Sequence, residues 1–246
     1  MKKRKRYKIS SLIYLYLDYI FQKTTLIIFI VSLILIAIIL SLVANSSYNE
    51  SYINTYKEIH ILYNNQSLLF IQIFNSVLVG AFVIQLGIMS ESFDILFVSY
   101  VPRIIICIAK IVALSIVLLF ISIFEVLMIL IIGSLNFNLY TISYYDILGI
   151  LYIFISLLFE CLISISITCI LSNIYIPLLI LFLFIIIKIS INNSINIYET
   201  LIAILPFIGY DRAILGIGSC KLYIGIMWNI LLGLAYNGLY NIKNLK

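Results

Sequence analysis

Two carboxylates stand inside long apolar runs: Glu125 in VLLFISIFEVLMIL and Glu160 in YIFISLLFECLISIS. An ionisable side chain costs about 2.5–3.5 kcal/mol to insert at the centre of a membrane helix, so each acid is a candidate for work on a proton, an ion or a substrate route. Around Glu160 the polar residues recur every fourth position, as Ser156, Glu160, Ser164, Thr168 and Ser172. On a helix that spacing forms a slowly twisting stripe, which must face other helices or a wet cavity rather than lipid. Lining a substrate route and making a static helix contact are both open to it. Glu125 has Ser122 one turn before it and Ser115 further back, and Lys188 is available either to pair with it or to snorkel to the headgroups. The run near 68–89 adds Gln72, Asn75, Ser76, Gly80, Gln85 and Gly87. Ser76 and Gly80 make a small-xxx-small pair that lets helices approach closely, within the subunit or across a dimer.

Other chemistry is poorly supplied. The only His, His60, stands in a polar stretch away from both acids, and reads as a solvated residue. Cys107, Cys161, Cys169 and Cys220 have neither CxxC nor metal-site spacing, so they read as small hydrophobes and no metal site is expected. No GxxxxGK[ST] occurs; Gly216–Ile217–Gly218–Ser219–Cys220–Lys221 has the wrong spacing to cradle phosphates. The chain is therefore expected not to be an enzyme and to bind no cofactor itself. The basic MKKRKR start is short and close to the first apolar run, which favours membrane lipid over nucleic acid.

The elements that must hold these residues follow from composition. Of 246 residues, 64% are hydrophobic and 10% charged, far too few polar groups to cover a soluble domain of that size. A helix crosses the hydrocarbon with about 20 apolar residues. Windows of that length fall near 25–44, 68–89, 108–132, 147–171, 174–191 and 222–240. The runs are too long and too uniformly apolar for barrel strands, which alternate, so the expectation is an all-α membrane protein with six transmembrane helices, one domain over 1–246. With the N-terminus inside, Lys2, Lys3, Arg4, Lys5, Arg6, Lys8, Lys23, Arg103, Lys110, Lys243 and Lys246 fall on the cytoplasmic side. Only Lys57, Lys188, Arg212 and Lys221 fall outside, the positive-inside bias, and both termini are then cytoplasmic. The first apolar run is longer than the core of a secretory signal, and polar NSSYNES follows it rather than a small-residue cleavage site, so it reads as an anchor.

Ahead of the first span, Ile9, Leu12, Ile13, Tyr16, Leu17 and Ile20 share one helical face, with Ser10, Ser11, Asp18 and Gln22 largely off it. With the basic cluster upstream, 7–22 reads as an interfacial helix on the inner leaflet, each basic charge worth roughly 1 kcal/mol against anionic lipid. An ordinary basic anchor with no mechanical part is the plainer alternative. The segment 192–221 opens polar and turns apolar again through TLIAILPFIGY before Asp211 and Arg212. That second run is too short to span, and a re-entrant or interfacial helix broken at Pro206 fits it. Asn173 and Pro177 make a tight inner turn between the fourth and fifth spans.

Between the second and third spans lies a charged, Pro-containing island, ESFDILFVSYVPRIIICIAK, from Glu91 to Lys110. It resembles the cytoplasmic loop of ABC-2-type transporter permeases, with an acidic residue, an apolar stretch, a Pro–Arg pair and a Lys one to two turns into the next span. Here these are Glu91, Leu96–Phe97, Pro102–Arg103 and Lys110. The sequence departs from the family's usual pattern at Phe93–Asp94, where a Gly often follows the acid, and at Tyr100–Val101 ahead of the Pro. The resemblance covers the chain in order: connecting helix, span, outer loop, span, coupling loop, three spans, re-entrant segment, last span. It implies that 90–107 is the coupling region and that Glu91, Phe93, Asp94, Leu96, Pro102 and Arg103 meet a separate ABC ATPase subunit, present in two copies and carrying the ATP and Mg. It also implies a second permease chain, same or different, and an outer lid at Pro206, Asp211 and Arg212; Gln72, Asn75, Glu125, Ser156, Glu160, Ser164 and Thr168 are the candidates to border the pathway. The expected function is export of a hydrophobic or amphipathic substrate, a peptide above all, from a bacterial plasma membrane. Permeases of this size include those giving self-immunity to antimicrobial peptides. A proton-coupled secondary transporter using Glu125 or Glu160, and a non-transporting immunity or scaffold protein, are the alternatives.

Overall fold

The structure, a computed structural model, describes residues 9–50, 71, 74–75, 77–84, 101–136, 144–171, 176, 179–180, 182–183, 186 and 222–243. All regular structure among them is helical. Five helices have defined bounds: α1 (Ile9–Ile20), α2 (Lys23–Glu50), α3 (Arg103–Asn136), α4 (Tyr144–Leu171) and α5 (Leu222–Lys243). Residues 77–84, with Ile71, Phe74 and Asn75, are also helical. Three stretches are long and apolar enough to cross a membrane: Thr25–Ala44, Arg103–Leu135 and Ile153–Leu171. That is the pattern of a membrane protein. With no water in the hydrocarbon, only structures that satisfy every backbone group internally can cross it, and helices do so within one segment. α5 has 22 residues, a spanning length, but Asn229, Tyr236, Asn237 and Tyr240 dilute its apolar character.

α1 buries Leu12, Tyr16 and Ile20, one stripe at i, i+4 and i+8, while Ile9 and Tyr14 remain exposed. The periodicity in the sequence thus marks the right face. The surface it covers is α3, against which α1 packs. A sharp corner follows at Phe21–Gln22. The Phe21 amide donates to Leu17 O (3.1 Å) and the Gln22 amide to Tyr19 O (3.2 Å), while Gln22 O accepts from the Leu26 amide (2.9 Å) as α2 begins. The buried Thr25 hydroxyl donates to Ile20 O and to Gln22 O, the latter at 2.8 Å, so one side chain pins both sides of the corner. Phe21 and Phe29 stack edge to face across it, 6.4 Å between centroids.

α3 is the hub. It packs against α1, α2, α4 and α5, and the most extensive contact elsewhere joins α4 to α5. Its buried residues Ile106, Ala109, Ala113, Val117, Ile121, Val126 and Ile129 fall at helical spacing on one side, while Ile104, Ile108, Ile116, Phe120, Ile123 and Leu127 are exposed on the other. Large aliphatic residues occur on both faces, so packing rather than hydrophobicity sorts them, while the polar Lys110, Ser122 and Glu125 are all on the buried side. α2 is its opposite: Ile27, Ile30, Val31, Ile34, Ile38 and Leu42 all lie open, as befits a helix solvated by lipid. At the start of α3, Pro102 O accepts from the Ile105 and Ile106 amides at 2.9 and 3.4 Å. Pro suits a helix entry because its missing N–H is one that a helix start leaves unpaired in any case. The third span was expected from residue 108, with 90–107 as a separate coupling region; instead 103–107 are already the first turn and a half of α3. No Pro or Gly interrupts the chain between Arg103 and Ile132, so nothing in the backbone separates the end of that region from the span.

Candidate functional site

Helix α3 holds two buried polar centres. The first is Lys110, two turns from the helix start and only 4% exposed. Its Nζ lies 4.9 Å from the ring centroid of Tyr240 and 5.6 Å from that of Tyr16. Both distances are within cation–π reach, and such contacts strengthen when the pair is out of water. Tyr16 comes from α1 and Tyr240 from the end of α5, and Tyr236 supports Tyr240 at 6.1 Å between ring centroids. One cation therefore joins helices from opposite ends of the chain. The positions one turn either side of it on α3 are Ile106 and Leu114, so its own helix supplies no acid at i±4.

The second centre is Glu125, wholly buried, whose Oε2 accepts from Asn75 Nδ2 at 3.0 Å. Asn75 is itself buried, and its Oδ1 has no hydrogen-bond partner among the described residues. Lys110 and Glu125 are fifteen positions apart on one helix, roughly 22 Å at 1.5 Å per residue, so they cannot pair. Ser122 and Ser115, read above as polar companions of Glu125, turn their hydroxyls back onto their own helix, to Leu119 O and Ile111 O, each at 2.8 Å. That is the usual recourse of a serine inside a helix.

On α4, Ser156, Glu160 and Ser164 are all buried, so the fourfold stripe faces protein over these two turns. Ser164 Oγ has no hydrogen-bond partner among the described residues. Thr168 is half-buried and donates to Ile165 O at 2.6 Å, on its own helix. The stripe lies beside the seam with α5. There Asn229 Nδ2 donates to Ile155 O at 3.0 Å, and Phe159 meets Trp228 edge to face, 6.2 Å between centroids. An amide reaching a neighbouring helix carbonyl in this way is a common tie between membrane helices.

Of the residues singled out in the sequence, the fold brings Asn75 and Glu125 together and aligns Ser156, Glu160 and Ser164. Arg103 is half-buried at the start of α3 and Pro102 is exposed. Gln72, Glu91, Phe93, Asp94, Leu96, Pro206, Asp211 and Arg212 lie outside the described residues, as do Lys188 and Ser172. The tyrosines around Lys110 and the Asn229 tie were not anticipated. The available signal was that a lysine in a span with no acid one turn away needs a distant partner, and tyrosine is the chain's most abundant aromatic residue. Among the described residues no group of three or more His, Cys, Asp or Glu could hold a metal ion. The chemistry on offer is thus a held cation, a hydrogen-bonded carboxyl and a second buried acid. No protein-family model, curated protein or solved structure matches this chain.

Proposed function

We propose that the chain is the permease subunit of an ABC exporter, moving a hydrophobic or amphipathic substrate, a peptide above all, outward with ATP hydrolysed on a separate subunit. In this reading six spans cross a bacterial plasma membrane with both termini in the cytoplasm, and 192–221 forms the outer re-entrant segment with Pro206, Asp211 and Arg212. Two ATPase subunits, each with ATP and Mg, act on two permease chains through Glu91, Phe93, Asp94, Leu96, Pro102 and Arg103. The observation that supports it most is mechanical. Arg103, the last residue of the Glu91–Arg103 resemblance, is the first residue of α3, which among the described helices is the one that packs against α1, α2, α4 and α5. A push at Pro102 would therefore reach four helices at once through a rigid, Pro-free rod.

Co-purification with an ABC ATPase and reconstitution in liposomes test the reading. ATP-driven peptide export is expected from the complex, with at least a tenfold loss in the double variant Glu91→Ala, Arg103→Ala while membrane insertion is retained. Unchanged export in that variant removes the coupling role from the loop. Uptake by the chain alone under a proton gradient would instead favour a secondary transporter, a reading to which the buried Glu125 and Glu160 lend themselves.

A further inference from the structure

We propose that Lys110, held between Tyr16 and Tyr240, sets the axial register of α3 against α1 and α5. It acts as a positioning residue, selecting one among several turns of α3 on which the first and last helices could settle. The inference does not rest on the permease reading.

α1 and α5 both pack on α3. Near its start α3 reads RIIICIAKIVALS, and Lys110 is the sole charged residue between Arg103 and Glu125. The residues about one turn to either side, Ile106 and Cys107 before it and Ala113 and Leu114 after it, are apolar and fully buried. A slide of α3 by one turn, about 5.4 Å, would therefore put one apolar surface where another had been. Hydrophobicity scores these registers alike. Lipid adds no preference, because its tails are as apolar as leucine. A lone polar residue at a packed seam is the best-attested device for removing such degeneracy between helices.

Lys110 has the partners for that part. Its Nζ lies 4.9 Å from the Tyr240 ring centroid and 5.6 Å from that of Tyr16, in a site where the lysine is 4% exposed. Both rings are held from elsewhere. Tyr16 stands in the buried stripe of Leu12, Tyr16 and Ile20, and the Thr25 hydroxyl ties the end of that stripe into the corner with α2. Tyr240 lies against Tyr236, one turn back on α5, at 6.1 Å between centroids. The two rings are thus presented at set heights by helices from opposite ends of the chain. A register one turn away would set Ile106 or Leu114 between them, and an aliphatic side chain gains nothing from the ring quadrupole. Two desolvated contacts favour the observed register over its neighbours by about tenfold or more. Lys110 therefore matters more to arrangement than to stability: with an apolar side chain in its place the site still packs, but on more than one turn.

Pulsed electron spin resonance on the full chain in lipid tests this. One sample carries nitroxide labels at Tyr14→Cys on α1 and Phe120→Cys on α3, and a second carries them at Leu234→Cys on α5 and Phe120→Cys. All three positions are exposed. Cys169 and Cys220 are replaced by Ala, and the buried Cys107 and Cys161 remain. With Lys110 in place, each pair should give one distance. Lys110→Met should fold, and should raise by about fivefold or more the share of molecules at a second distance, from helices displaced by one turn. Lys110→Arg, which keeps the charge and its ring contacts, should restore the single distance. A single, unchanged distance in Lys110→Met overturns the proposal. Should that variant fail to fold, Tyr240→Leu decides: the α3–α5 pair should gain the second distance while the α1–α3 pair keeps one. Wild-type distances in both pairs of Tyr240→Leu count against the register role.

Discussion

At one end of α3 a cation is enclosed by two aromatic rings, and some 22 Å further along a carboxyl is enclosed with an amide. The two centres answer the same difficulty, a polar group in oil, with different partners, and the partners have different consequences. Tyr16 and Tyr240 are mostly hydrocarbon, so they pack as core residues and attract Lys110 through their ring faces besides. Remove the lysine and two packed rings remain, each with its buried hydroxyl. Asn75 has no such second use. Remove Glu125, or Asn75, and the survivor is a buried polar group with a lost bond. Aromatic enclosure is thus tolerant of losing its guest, whereas the acid–amide pair is intolerant of losing either member. Aromatic enclosure also reaches further across the fold, since it draws α1 and α5 onto the same turn of α3, while the Asn75–Glu125 pair ties α3 to one neighbour.

The sharpest way to break the comparison is at the ring rather than at the charge. Tyr16 is among the largest fully buried side chains, and Tyr16→Ala should destabilise the protein by about 3–5 kcal/mol through the cavity it leaves. Tyr16→Phe, which keeps the ring face, should stay near the wild type. Thermal unfolding in detergent reads both, and equal losses for Ala and Phe would show that the hydroxyl, not the ring, matters. Next in size comes Asn75→Leu, expected to cost about 1–3 kcal/mol because Glu125 loses its amide while staying buried. A neutral result in the same assay would mean that Glu125 draws its stability from elsewhere. The smallest effect is expected from Lys110→Met, about 1 kcal/mol, since the cation–π contribution is lost but the stem still fills its space. If it proves as damaging as Tyr16→Ala, the site depends on its charge and the contrast drawn here is wrong.

How much of this was legible beforehand differs from helix to helix. The first span was expected at 25–44 and the apolar stretch found is Thr25–Ala44. α1 was equally readable, because its polar residues are frequent enough to leave a contrast, and Leu12, Tyr16 and Ile20 are the buried ones. On α3 the contrast is confined to Lys110, Ser122 and Glu125, all buried, and does not sort the apolar residues. Ile106 and Ile108 are chemically identical, yet the first is fully buried and the second 44% exposed. Serines misled for a related reason: Ser115 and Ser122 look like polar markers of an interface but are satisfied by carbonyls of their own helix. Asn75 and Glu125 were each conspicuous as polar residues in oil, but fifty positions separate them, and no periodicity links one helix to another.

What the chain determined by itself was that it forms apolar helices long enough to cross a membrane, the bounds of the first of them, and the inward side of the amphipathic α1. That follows because the backbone must bond internally wherever water is absent, whatever surrounds it. Which side of α3 meets protein, and that Lys110 finds Tyr16 and Tyr240 while Glu125 finds Asn75, was decided only by the tertiary fold. Lipid tails are as apolar as leucine, so burial against protein and exposure to lipid demand the same residues. Shape and the few polar side chains, meeting across helices, had to make the choice.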